Sequence, residues 1–170
     1  MKIYIGFSKP NKFKPFAWLI QKVENRDYDH VYIRLIEPIT NSDIIFQASS
    51  TMVNLYNPYL FFNNNVTIKE YEIDITVCQY KVLWIYIVKN LGIPYSLIED
   101  FGILLMKIFN LKNQPFNRGQ SAEFCSKLGA NVCNILNISM PENVSNIDPT
   151  LLDQILSNKQ LKVVVANGKT

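Results

Sequence analysis

Several short stretches of the chain carry an apolar residue at every second position, a period that predicts strands. Residues 2–7 form the first. Across residues 30–36, Val31, Ile33 and Leu35 alternate with Tyr32 and Arg34, and an apolar run at 44–48 follows a turn at Asn41-Ser42-Asp43. Those two runs predict an antiparallel hairpin. Residues 52–55 add a short strand and Asn63–Asn65 mark a turn. Residues 66–75 alternate with one slip near Lys69 and Glu70, and residues 161–166 predict a last strand.

Elsewhere the spacing is helical. Residues 77–91 have apolar side chains on most faces, which predicts a buried helix closed by Gly92. Further helices are expected at 16–23, 96–109 and 124–136. Asp148 as N-cap and Pro149 in the first turn open a short one reaching Ser157. Residues 110–120 are polar and read as a loop. With no repeat or linker, the pattern predicts a single α+β domain over residues 1–170. Its sheet is mostly antiparallel and packs against helices.

Composition changes this picture little. The chain is 48% hydrophobic and 18% charged, as in an ordinary globular protein, and its 170 residues are enough for a sizeable core. A net charge of +3 without a basic stripe interleaved with aromatics argues against nucleic acid as a partner. Lys9, Lys12 and Lys14 read as a solvated loop. The first residues read as a strand and not as a secretory leader, and no run is apolar over the ~18 residues a spanning helix needs. The expected location is therefore the cytoplasm, or a virion if the source is viral, with three reduced cysteines.

Those cysteines bring in candidate chemistry. A thiol becomes nucleophilic as a thiolate, and a helix N-terminus or a neighbouring imidazole promotes that form. Cys125 opens the predicted 124–136 helix, with Ser121 as candidate N-cap and Glu123 expected to face solvent. Cys133 lies deeper in that helix and reads as core. Cys78 begins the 77–91 helix, and its surroundings also read as core. No cysteine pair has metal-ligand spacing and one histidine does not complete a zinc site, so neither metal nor cofactor is expected. That histidine, His30, opens the second strand. Gln47 is the polar residue in the otherwise apolar partner strand, and a buried amide needs a hydrogen-bonding partner, for which the imidazole is a natural choice.

The segments Leu91-Gly-Ile-Pro-Tyr-Ser96, Glu123-Phe-Cys-Ser-Lys-Leu128 and Tyr28-Asp-His-Val-Tyr-Ile33 together resemble NlpC-like papain-fold cysteine peptidases. The histidine strand precedes the cysteine helix, which is similar to the circularly permuted branch. Ile147-Asp-Pro-Thr-Leu-Leu152 also has a counterpart there. The resemblance spans roughly residues 1–155. It implies a permuted papain-like fold, with Cys125 as nucleophile, His30 as base, Gln47 as the third polar group and Tyr95 lining the substrate or oxyanion site. The third position is often Glu in that branch, the Gly-Gly pair that commonly follows the tyrosine is missing, and residues 96–120 form a helix-loop insertion. The implied activity is cleavage of an amide bond, in a peptide or acyl-amide substrate such as a cell-wall peptide. Two alternatives stand beside it. One is a lipid-directed thiol hydrolase or acyltransferase, in which the stripe Leu97, Phe101, Leu104, Leu105, Ile108 meets acyl chains or membrane. The other is an inactive binding or assembly module of a virus or phage.

Overall fold

The computed structural model describes residues 1–49, 51–113, 115–116 and 123–166. Its centre is a six-stranded, wholly antiparallel sheet in the order β4-β3-β2-β1-β5-β6. The strands are β1 (Lys2–Pro10), β2 (His30–Ile36), β3 (Asp43–Ala48), β4 (Val53–Tyr56), β5 (Asn65–Asp74) and β6 (Lys162–Ala166). The helices are α1 (Pro15–Glu24), α2 (Pro58–Asn64), α3 (Val77–Asn90), α4 (Leu97–Ile108), α5 (Cys125–Ile135) and α6 (Pro149–Ser157).

The alternation in the sequence separates the two faces of the sheet. Ile3, Ile5, Phe7, Val31, Ile33 and Leu35 point to one side and build the main core with residues of α3, α5 and α6. On the other side Tyr32, Ile45 and Phe61 form a smaller cluster under α2. Beside it Arg34 stacks 3.8 Å above the Tyr4 ring and bonds Glu70 at 2.6 Å. The slip read near Lys69 is real: the β1–β5 register shifts between Phe7 and Ser8, opposite Lys69 and Thr67, and the β5–β6 register shifts between Glu70 and Tyr71.

Three expectations need correcting. The turn at Asn63–Asn65 is the end of α2, whose start is fixed by Pro58 in the first turn and by the Asn57 side chain accepting from the Leu60 amide. α3 is not enclosed: Tyr80, Leu83 and Ile87 face the core, but Val77, Val82, Ile85 and Val88 are exposed, because nothing packs on the outer side of this layer among the described residues. Cys78 lies on that exposed side, not in core. Gly92 does close the helix, at φ 81°, the left-handed conformation a non-glycine residue resists.

Candidate active site

One end of the sheet carries the residues singled out in the sequence, but the His30 ring packs with Phe61 on the Tyr32 face, Cys125 belongs to the core on the opposite face, and no hydrogen bond joins its sulfur to the ring. The β2–β3 hairpin carries His30 and Gln47 on one face, and His30 Nε2 lies 2.8 Å from Gln47 Oε1. The Gln47 amide is 95% buried and its nitrogen faces Asn54 Oδ1 at 3.5 Å. Asn54 in turn donates to the Met52 carbonyl oxygen, which only accepts, so the orientation of both amides follows. With the Gln47 oxygen facing the ring, Nε2 carries the imidazole proton and Nδ1 is the basic nitrogen. Phe61 flanks the ring at 6.2 Å between centroids.

Cys125 is the first residue of α5, with Phe124 as an N-cap that supplies no side-chain bond. Ser121, the N-cap expected from the sequence, lies outside the described residues. The Cys125 backbone N–H is in the first turn, where helical amides have no intrahelical partner and the helix dipole favours negative charge. Its sulfur rests on the backbone around His30. Sγ is 4.0 Å from the Asp29 carbonyl oxygen, and the Val31 amide is near enough to favour a thiolate there. Tyr95 is placed by pairing on both sides. Its amide bonds the Thr51 carbonyl at 3.0 Å, and a parallel bridge joins it to Glu123, two residues before Cys125. The Tyr95 hydroxyl donates to Asp100, and the group is near enough to Cys125 for a thiolate there to disfavour its ionisation.

The surroundings are acidic and enclosed, which no local pattern in the chain indicates. Cys125 is 3% exposed, and the cavity beside it, of about 10 Å³, is lined by Ile20, Glu24, Asp29, Asp100, Ile103 and Leu104 among others. That is room for about one water. Glu123 is buried, against the expectation that it faces solvent, because Lys127 one turn on lies 3.9 Å away and offsets its charge. Lys107 bridges Glu24 and Asp148 at 3.6 and 3.0 Å.

Burial sets the proton affinities. It pushes the Cys125 thiol well above its ordinary value, helped by Asp100, Asp29 and Glu24 and opposed by the Val31 amide. It pulls His30 down to about 4, against the Gln47 bond that favours the charged ring. At neutral pH the resting site therefore holds a thiol and a neutral imidazole. Burial also raises Glu24, Asp100 and Glu123 to about 7 and Asp29 to about 6.

These shifts predict how stability varies with pH. A carboxyl group raised on folding binds its proton better in the native state, so stability is lost as pH climbs from the unfolded value toward the folded one. Four such groups act between pH about 4 and 7, and His30, lowered on folding, opposes them below about 6.5. Asp153 behaves in reverse. Burial pushes it up, but Lys69, Tyr71 and Tyr28 outweigh that and hold it below the usual carboxylate range. Its contribution disappears as pH falls below about 4. Urea titrations should give a midpoint that rises as pH drops from about 8 to about 5, a gain on the order of a few kcal/mol, and then falls in stronger acid. A midpoint that is flat or higher at pH about 8 would contradict the burial of these carboxyl groups.

Among the described residues no three His, Cys, Asp or Glu side chains are disposed to hold a metal ion. No described helix is long and apolar enough to cross a membrane. No family model matches the chain, and neither does any curated protein. Among solved structures the chain is similar to the crystal structure of the metalloprotein YiiX from Escherichia coli O157:H7, described as DUF1105. The TM-score is 0.62 at 16% sequence identity, over 99% of this chain and 97% of that one. A likeness at that identity is one of fold: an α+β architecture with a six-stranded antiparallel sheet against helices.

Proposed function

We infer that the chain is a thiol-dependent hydrolase of circularly permuted papain-like architecture that cleaves an amide bond through Cys125, His30 and Gln47. The observation carrying this reading is the 2.8 Å contact between His30 Nε2 and Gln47 Oε1, at the strand end where the Cys125 sulfur rests on the backbone of Asp29 and Val31. An imidazole held at one nitrogen by a neutral acceptor keeps the other as a base of fixed direction, the role a nucleophilic thiol requires.

In the proposed sequence the Cys125 and His30 side chains turn toward each other around the end of β2 when substrate binds, and His30 Nδ1 then takes the Cys125 proton as sulfur attacks the substrate carbonyl. Burial opposes each charge taken singly, but a thiolate and an imidazolium formed together offset one another. The oxyanion is received by the Cys125 backbone N–H at the start of α5. The imidazolium then gives its proton to the leaving amine as the carbon–nitrogen bond breaks, which leaves a thioester. Water, deprotonated by Nδ1, releases the acid and restores the thiol. Tyr95 lines the site, with its hydroxyl proton directed to Asp100. Because Cys125 is enclosed between α1 and α4, substrate reaches it only when side chains of those helices move aside.

Intact-protein mass spectrometry with a panel of peptide amides and activated acyl esters tests the reading. An acyl adduct is expected, mapped to Cys125 and missing from a Cys125→Ala variant. Adducts confined to the exposed Cys78, with Cys125 unmodified across the panel, would sink it and leave a non-catalytic binding module in its place.

A further inference from the structure

Helices α1 and α4 pack on each other, and their inner faces close the cavity beside Cys125. Their outer faces are of a different kind. Phe13 and Trp18 at the start of α1, and Leu97, Ile98, Phe101 and Ile108 along α4, are between 44% and 75% exposed. Leu97, Phe101 and Ile108 are spaced four and seven apart, so they form one stripe, with Ile98 beside it. The two acidic residues of α4, Glu99 and Asp100, are buried on its other side, and so is Glu24, the acid of α1.

The exposed charge on these two helices is therefore cationic, although Arg26 and the acidic Asp27 follow just past the end of α1. Over residues 11–24 and 97–113 every exposed charged side chain is a lysine: Lys12, Lys14, Lys22 and Lys112. Lys107 lies partly exposed between them and is tied to Glu24 and Asp148. Exposed aromatic and aliphatic side chains with mainly cations around them, Asp27 beside Trp18 being the exposed acid, match a bilayer interface. There the apolar groups enter the acyl boundary while lysines meet anionic headgroups. At the Trp18 end this face borders a cleft of about 530 Å³ that Lys22, Asp27 and Asp153 also line, whereas the exposed stripe of α4 lines no such cleft among the described residues. The exposed side of α3 is apolar too, but nothing observed selects what covers it.

We propose that the outer face of α1 and α4 docks the protein peripherally on an anionic phospholipid membrane. The lysines that read as a solvated loop in the sequence supply part of the attraction. The docking surface is the back of the two helices that wall the Cys125 cavity, so a bound bilayer lies where it can part them. The proposal does not depend on the catalytic reading.

Flotation of the full chain with phosphatidylcholine vesicles, with and without phosphatidylglycerol, tests it. Binding is expected to the mixed vesicles, weaker by at least about fivefold for phosphatidylcholine alone and falling with salt. Leu97→Ser combined with Ile108→Ser is expected to reduce partition about tenfold or more. Lys12→Glu, Lys22→Glu and Lys112→Glu change exposed positions outside the core, and each is expected to weaken binding about fivefold. Val82→Ser with Val88→Ser on α3 should bind as the parent does. Cys125→Ala should float unchanged, which separates this test from that of the hydrolase. The proposal fails if the chain does not float, if the α4 and lysine variants float as well as the parent, or if the α3 variant is the one that loses binding. It also fails if Leu97→Ser instead breaks a concentration-dependent dimer, since a second copy would then own this face.

Discussion

Replacement of His30 by alanine is expected to slow acylation of Cys125 by about a thousandfold or more in single-turnover measurements, with little change in substrate binding. The thiol is held well above its ordinary proton affinity by burial and by Asp100, Asp29 and Glu24, so without a base almost no thiolate forms at neutral pH. The imidazole supplies that base only in the tautomer that leaves Nδ1 free, which the Gln47 oxygen enforces. Gln47→Ala should therefore cost less, about ten- to a hundredfold, because the ring survives but samples the wrong tautomer and orientation. Gln47→Glu separates orientation from charge. A carboxylate beside the ring favours imidazolium, so His30 should rise from about 4 and the acid limb of the rate profile should move to higher pH. Stopped-flow acylation across pH, with an activated ester as acyl donor, reads all three variants. If His30→Ala acylates at the parent rate, the base lies elsewhere and the proposed dyad is wrong.

That constellation was partly legible in the sequence, and for local reasons. Alternation fixes which residues of β2 and β3 share a face, and the short connection between them fixes an antiparallel hairpin, so an imidazole and a buried amide on neighbouring strands had few other partners. The cysteine helix was legible for the same kind of reason, but its cap was not: Ser121 reads as the N-cap, whereas the helix begins at Cys125 with Phe124 before it. What failed depends on distant contacts. Glu123 reads as solvated because it is charged. Its burial follows from the bridge to Tyr95 and from Lys127, and only the four-residue spacing to that lysine was visible in the chain. Asp100 and Glu24 come from two helices far apart in sequence, and nothing local says that they meet beside a thiol. An apolar pattern around α3 implied enclosure, but periodicity reports what a helix offers, not how many neighbours arrive to cover it. For α2 the signal was present in Asn57-Pro58, a cap followed by a first-turn proline, and was outweighed by the three asparagines after it.

Gly6→Ala is expected to destabilise the fold by about 3–5 kcal/mol, although it adds a single methyl group. Gly6 lies in β1 directly opposite Tyr32 of β2, and the Tyr32 ring crosses over it. A Cβ at residue 6 would sit 2.2 Å from Tyr32 Cζ and 2.6 Å from its hydroxyl oxygen, far inside contact distance. The ring has no free route away. Its hydroxyl donates to Glu70 at 2.8 Å and contacts Thr67 at 2.9 Å, and Glu70 in turn holds Arg34. On its other side Phe61 packs at 4.5 Å. Moving the ring therefore breaks buried hydrogen bonds, and keeping it strains β1. A double-mutant cycle in urea distinguishes this from a general intolerance of β1 to substitution. In a Tyr32→Ala background the Gly6→Ala cost should fall to roughly 1 kcal/mol or less, because the colliding ring is gone. Equal costs in both backgrounds would show that the ring is not the cause. The same step reaches the candidate site. Phe61 touches both the Tyr32 and His30 rings, so a displaced Tyr32 pushes the wall that holds the imidazole against Gln47. Any folded Gly6→Ala protein should thus acylate more slowly than its stability alone dictates, with a deficit that persists at temperatures well below its melting point, where unfolding contributes nothing.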